Sequence, residues 1–218
     1  MIDWKQIDTV LLDMDGTLLD LNFDNYFWKE FVPLNFAKQR GLSIEAAKQQ
    51  LEPLFKSMEG RLEWYCLDYW SNALQLDIAA LKAEIAESIA VLPHVILFLE
   101  KLKLSPRKVV LVTNAHRDSL TLKMQKTALQ HFFDDIISSH DVGLPKEHQG
   151  FWQSLQNTQV FENHNTVLID DSLAVLHSAR QFGIAHLVSI SKPDSQLPNR
   201  QISDYPAIED FRALMVGL

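Results

Sequence analysis

Four short apolar runs, spread along the chain and free of polar alternation, constrain the fold more than any other feature. They are Val10-Leu11-Leu12, Val109-Val110-Leu111-Val112, Ile136-Ile137 and Val167-Leu168-Ile169. A strand with apolar side chains at successive positions needs cover on both faces, which a parallel sheet wrapped by helices provides. Leu187-Val188-Ser189-Ile190 is a fifth, weaker run. Helical patterns lie between the runs. Pro93 suits the first turn of one helix, with Val95, Phe98, Leu99 and Leu102 following at helical spacing. Leu173, Leu176 and Ala179 share a face of another, which Gly183 terminates. The alternation predicts an α/β fold with a doubly wound, mostly parallel sheet.

Residues 20–92 break this alternation. They carry no strand signal and read as helical throughout. Ser43 is an N-cap before a run from Ile44 to Phe55, with a break expected near Pro53. Further helical runs cover Arg61–Leu76 and Ile78–Ala90. This segment holds 11 of the chain's 21 aromatic residues, enough for a small core of its own. The expected organisation is an α/β core of residues 1–19 and 93–218, with residues 20–92 inserted as a helical cap after the first strand.

The formal net charge of −8 argues against nucleic acid or an anionic membrane as partner, since both need clustered positive charge. A small anionic substrate needs only one local cation. Cys66 is the single cysteine, so no internal disulfide can form and a reducing cytoplasm is the expected compartment. Met1-Ile2-Asp3-Trp4-Lys5 lacks a basic start followed by an apolar run, so no signal peptide is expected. No apolar stretch approaches a membrane span. The expected state is a monomer or a weak homo-oligomer.

Chemistry concentrates just after the strands, where open α/β sheets bind ligands. Asp13-Met14-Asp15-Gly16-Thr17 follows the first run. Residues two apart in extended chain share a side, so Asp13 and Asp15 can face one ligand, and Gly16 permits a sharp turn away. A surface turn is the plain alternative, but two carboxylates facing the same way at the end of a buried strand repel without a ligand. Thr113-Asn114 ends the second run, and its hydroxyl and amide can donate to an oxyanion or cap a helix. Asp170-Asp171-Ser172 ends the fourth run, where Asp170 can complete an oxygen-rich Mg2+ site or act as an N-cap. Lys146 supplies a cation in the loop Gly143-Leu144-Pro145-Lys146-Glu147. The alternative for a lone loop lysine is simple solvation.

Taken in order, acids, hydroxyl, lysine and acids resemble the four motifs of the haloacid dehalogenase (HAD) superfamily, and the resemblance spans essentially the whole chain. It implies a Rossmann-like core, a cap inserted after the first motif, and a Mg2+-dependent phosphomonoesterase. By resemblance, Asp13 is the nucleophile that forms an aspartyl-phosphate, and Asp15 is the acid and base. Thr113 and Asn114 hold phosphoryl oxygens, and Lys146 neutralises charge. Asp13, Asp170 and the backbone carbonyl of Asp15 bind Mg2+, while Asp171 orients a metal-bound water. Two details depart from the common pattern: Pro145 precedes Lys146 rather than following it, and Ile169 stands where many members have glycine.

Asp13-Met14-Asp15-Gly16-Thr17-Leu18-Leu19-Asp20-Leu21, Trp64-Tyr65-Cys66-Leu67-Asp68-Tyr69-Trp70 and Pro145-Lys146-Glu147-His148-Gln149 are similar to the bacterial GMP/IMP nucleotidase branch. That likeness implies a purine nucleoside monophosphate as substrate. Planar side chains of the cap can stack on a base. One or two of Phe23, Tyr26, Trp28, Trp64 and Trp70 are expected to face it, with Asn22, Asp24 and Asn25 close by to exchange hydrogen bonds. Three rivals stand beside this reading: a sugar-phosphate phosphatase, a β-phosphoglucomutase-like phosphomutase and a catalytically silent binding protein. Haloacid dehalogenation is disfavoured because it makes no use of Asp15. Cys66 is expected to pack, and His116 to lie at a helix start. No spacing among the eight histidines and Cys66 predicts a zinc site.

Overall fold

The computed structural model describes residues 2–218; Met1 lies outside the described residues. Six strands form one sheet: β1 (Thr9–Leu12), β2 (Lys108–Thr113), β3 (Asp135–Ser138), β4 (Thr166–Asp170), β5 (His186–Ile190) and β6 (Ala207–Ile208). Their spatial order is β3-β2-β1-β4-β5-β6, and every neighbouring pair is parallel. All five expected runs are strands. The sixth has only two residues and no apolar run to announce it.

Alternate side chains of a strand point to opposite faces, and the core divides accordingly. Val10, Leu12, Val109, Leu111, Val167 and Ile169 face one apolar cluster, completed by α7 (Val95–Lys103) and α8 (Arg117–Thr127). Leu11, Val110, Val112 and Leu168 face the other, covered by α10 (Gln149–Gln159) and α11 (Leu173–Phe182). The short α9 (Ser139–Val142) follows β3. Gly183, at φ 105°, terminates α11. The start of α7 differs from expectation. His94 adopts the left-handed conformation at φ 63° and reverses the chain, so the helix begins at Val95, two residues after Pro93.

Between β1 and α7 lies an all-helical layer: α1 (Asn22–Tyr26), α2 (Val32–Arg40), α3 (Ile44–Met58), α4 (Leu62–Tyr65), α5 (Leu67–Leu74) and α6 (Ile78–Glu84). A π-helical turn over Phe27–Phe31 joins α1 to α2. The Ser43 hydroxyl accepts from the Ala46 amide and caps α3, as expected. Contrary to expectation, α3 runs through Pro53 without a break. Pro53 and Gln49 are both exposed, so water can serve the Gln49 carbonyl that the ring leaves without a donor. The stretch from Arg61 to Leu76 is two helices rather than one. Cys66 is extended between them, and its Sγ accepts from the Tyr69 amide at 3.4 Å. The last run ends early, at Glu84, with a 3-10 turn over Ala86–Ser88.

This layer has its own apolar cluster, including Phe27, Val32, Phe36, Leu51, Leu67, Trp70 and Ile78. Its two ends meet: the Asp20 amide donates to Ala90, and Leu19 bridges Val91. Trp70 anchors the cluster. Its ring lies 5.0 Å from those of Phe55 and Tyr69, and its Nε1 donates to the Trp64 carbonyl at 2.9 Å. Trp70→Ala should therefore cost about 3–5 kcal/mol of stability, read from the urea midpoint. An unchanged midpoint would show that the layer does not depend on this ring.

Candidate active site

The carboxyl end of β1 lies between those of β2 and β4, and pairing of Leu12 with Ile169 brings Asp13 beside Asp170. The Asp13 amide continues the ladder by donating to Ile169 at 3.0 Å. Beyond it the chain turns sharply, the amides of Leu18 and Leu19 both donating to the Met14 carbonyl. Gly16 sits in this turn at φ 82°. A Cβ there would lie 2.7 Å from the Asp171 carboxyl carbon, so the close approach of the two loops requires glycine. The Thr17 hydroxyl donates to Asp13 at 3.2 Å and accepts from the Asp171 amide at 3.1 Å. It thereby ties the first and last motifs together.

Lys146 is the electrostatic centre. Its ammonium is 2% exposed and donates to Asp13 at 2.6 Å, Asp170 at 2.7 Å and the Val112 carbonyl at 3.0 Å. Burial works against this charge, but Asp13 and Asp170 outweigh it and push the lysine pKa above its ordinary value. Asn114 positions the loop by accepting from the Lys146 amide at 2.9 Å. Its Nδ2 donates to Glu147, which also accepts from the Tyr65 hydroxyl at 2.6 Å. Thr113 is buried, and its hydroxyl accepts from the Ala115 amide.

Asp13, Asp170 and Asp171 each offer an oxygen, all within 4.8 Å of one another. Burial, and then the neighbouring carboxylates, raise the Asp171 pKa well above the usual range. Burial lifts Asp170 to about 7 against the pull of Lys146. Buried acids so placed resist being charged together, and a hard divalent cation relieves that repulsion. The donor set therefore fits Mg2+.

A second ion-pair chain reaches Asp15. Lys123, on α8, donates to Asp15 and to Asp24, each at 2.6 Å. Lys82, on α6, donates to the other Asp24 oxygen at 2.6 Å and to the Ser119 hydroxyl at 3.0 Å. Burial raises the Asp15 pKa to about 6, with Lys123 opposing. For Asp24, burial is outweighed by Lys123 and Lys82, which hold it down to about 2. Asp24 lines the cavity, as expected of a base contact, but both of its carboxylate oxygens are engaged by Lys82 and Lys123.

Over these groups opens a cavity of about 850 Å³. Asp13, Asp15, Thr113, Asn114, Lys146 and Asp170 line its floor, and Trp28, Phe55, Trp64 and Tyr65 line its cap side. Asn22 is not among the lining residues; its amide donates to Asp20 at the start of α1. Asn25 lines the cavity, but its Nδ2 is taken by Asp194 at 2.7 Å. Lys82, Lys123 and Phe55 are site residues that the motifs did not reveal. His116 lies at the start of α8, as expected, and also lines the cavity.

Residues 10–189 match the haloacid dehalogenase-like hydrolase family, and the chain belongs to it. Over 217 residues it is 40% identical to the GMP/IMP nucleotidase YrfG of Escherichia coli (strain K12) and to that of Shigella flexneri. The overlap covers 100% of this chain and 98% of each relative. Among solved structures, a HAD phosphatase from Thermococcus onnurineus superposes with a TM-score of 0.79 at 23% identity, covering 95% of this chain and 96% of that one. The magnesium-bound HAD-hydrolase YfnB of Bacillus subtilis does so with a TM-score of 0.68 at 17% identity and the same coverage. These two share the fold. The expected class, a phosphatase-type hydrolase with an α/β core, holds.

Asp24→Asn removes the charge that compensates two buried ammonium groups and should cost about 3–5 kcal/mol at neutral pH. The Asp24 pKa in the fold, about 2, lies below its unfolded value of about 3.9. Its contribution is therefore complete above about pH 4 and fades as pH falls towards 2. Urea denaturation of wild type and variant across that window should show the gap closing. A constant gap would contradict an ion-pair origin.

Proposed function

We propose that this hydrolase is a Mg2+-dependent 5′-nucleotidase that cleaves purine nucleoside monophosphates, GMP and IMP foremost, through an aspartyl-phosphate. The observation that carries the chemistry is a nucleophile-grade carboxylate, Asp13, held 2.6 Å from a buried ammonium under a cavity large enough for a nucleotide. The likeness to the GMP/IMP nucleotidases supports the choice of substrate.

In this reading, one Asp13 oxygen attacks phosphorus as the bond to the leaving 5′-oxygen breaks. Asp15 gives that oxygen its proton, so the nucleoside leaves neutral. Its pKa of about 6 suits a group that must hold a proton and then take one back. Ionised Asp15 next removes a proton from water, whose oxygen attacks the phosphoryl group. The bond to Asp13 breaks and phosphate departs. Lys146 offsets charge on Asp13 and on the phosphoryl oxygens, and the Thr113 hydroxyl and Asn114 amide line the floor where those oxygens rest. Asp13 and Asp170, with the Asp15 carbonyl, would hold Mg2+, with Asp171 beside them in its outer shell, and the ion would supply the positive charge that lets a carboxylate approach a phosphate dianion. Residues 20–92 act as the cap, and Trp28, Phe55 and Trp64 offer faces for the base.

Asp13→Asn should abolish phosphate release while circular dichroism stays native, and full activity in that variant would sink the covalent route. EDTA should silence the wild type, with Mg2+ restoring turnover; unchanged turnover after exhaustive chelation would contradict the metal.

Substrate choice is tested separately, by kcat/KM for GMP and IMP against AMP, UMP and sugar phosphates. A preference of about tenfold or more for the 6-oxopurines is expected, the scale of one discriminating contact. Equal values would refute base recognition and favour a broad phosphatase.

A further inference from the structure

At the seam between cap and core, apart from the carboxylate cluster, Cys66, His116 and His140 each present a ligand atom. These three atoms lie within 4.8 Å of one another. Cys66 comes from the break between α4 and α5, His116 from the start of α8, and His140 from α9. Nothing in their spacing along the chain hints at a shared site; the fold alone assembles it. The two imidazoles pack edge to face with centroids 5.0 Å apart.

One atom in this cluster lacks a partner. Nε2 of His140 is buried and makes no hydrogen bond, an unfavourable arrangement unless something fills it. Burial, with His116 adjacent, lowers the His140 pKa. An imidazole nitrogen without a proton keeps a lone pair for a ligand. Cys66 is a free thiol, half-buried beside it.

We propose that Cys66, His116 and His140 form a binding site for one borderline-soft divalent cation, Zn2+ by its chemistry, which ties the cap to the core. A thiolate with two imidazoles is a donor set that zinc favours and magnesium does not. The site is therefore chemically distinct from the all-oxygen group of Asp13, Asp170 and Asp171. In a tetrahedral zinc site, neighbouring donor atoms lie about 3.5 Å apart. Closing from 4.8 Å or less asks for side-chain rotation, not a change of fold. Asp68 has an oxygen 3.7 Å from His116 Nε2 but stands outside the group in which the three donor atoms meet, so the fourth position is left to water. On binding, the Cys66 thiol gives its proton to solvent and the sulfur takes the cation. Cys66 belongs to the cap, whereas His116 and His140 belong to the core, so an occupied site is a cross-link between the two.

The experiment uses the whole protein in saturating Mg2+, with Co2+ as a spectroscopic substitute for Zn2+. One equivalent of Co2+ should produce a thiolate-to-cobalt charge-transfer band, which stoichiometric Zn2+ displaces. Cys66→Ser, which keeps an acceptor for the Tyr69 amide, should abolish the band. His140→Gln should weaken Co2+ binding by at least about tenfold. Zn2+ should raise the Tm of the wild type and leave that of Cys66→Ser unmoved. Absence of a thiolate band in the wild type would overturn the site, as would unchanged Co2+ affinity in His140→Gln. Binding without a rise in Tm would overturn the cross-link. Circular dichroism checks that both variants fold, and if Cys66→Ser does not, His140→Gln decides alone. None of these readouts depends on the substrate proposed above.

Discussion

The Lys146 ammonium is the interaction on which the site depends. Parallel pairing of β1 with β2 and β4 sets Asp13 and Asp170 side by side at the sheet's carboxyl edge. Two buried carboxylates in that position repel, and burial alone opposes the charged form of each. Lys146 bridges them and spends its third hydrogen bond on Val112, at the end of the neighbouring strand. One side chain thus registers three strand ends against each other. Its removal would leave two unpaired buried charges, which cost more than the pair itself contributes. The same ammonium that offsets the buried carboxylates fixes the Asp13 oxygen that the proposed reaction would use, so the demands of stability and of that chemistry coincide here.

Around that centre, charge is arranged in layers. Lys123 joins Asp15 to Asp24, and Lys82 joins Asp24 to the cap helix α6 and to Ser119 of the core. Asp15, the acid of the proposed reaction, is therefore linked to the helical layer through two lysines and one carboxylate. Asp24 shares its charge between Lys82 and Lys123, and Lys123 shares its own between Asp24 and Asp15. Coupling of this kind needs no long-range strain, only a shared acceptor within 2.6 Å of two donors.

Much of this was legible in the sequence because it depends on local chemistry. Unbroken apolar runs mark the parallel strands, and the acids, hydroxyl and lysine that follow them meet at one edge. Caps such as Ser43 and Gly183 were equally plain. What escaped were features whose meaning appears only in three dimensions. Lys82 and Lys123 look like ordinary helix-surface lysines. Yet Lys82 lies four residues after Ile78 and Lys123 three after Leu120, on the buried faces of their helices, and that periodicity was the available signal. Pro53 misled because a helix tolerates proline where the freed carbonyl is exposed, and exposure is not written in the residue itself. Asn22 misled for a related reason: nearness to the first motif in sequence did not tell which way α1 would turn it. Asp24 does face the cavity, but the two lysines that engage it come from distant helices.

Two of the three apolar clusters belong to the sheet's faces and one to the helical layer, and Ile89, Val91 and Leu92 at the layer's end pack with the first of the sheet clusters. Away from that junction, polar contacts cross. Tyr65 donates to Glu147, Lys82 to Ser119, and Cys66 approaches His116 and His140. An interface of this composition can part without exposing a large apolar face to water, because its groups exchange protein partners for solvent at modest net cost. The helical layer has a core of its own, and the connections that join it to the sheet are short. They are the paired segments where Asp20 meets Ala90 and Leu19 meets Val91. Under the proposed function, burying the chemistry beneath a separately cored layer would let water be excluded during phosphoryl transfer and readmitted for product release. A single fused core would permit only the first.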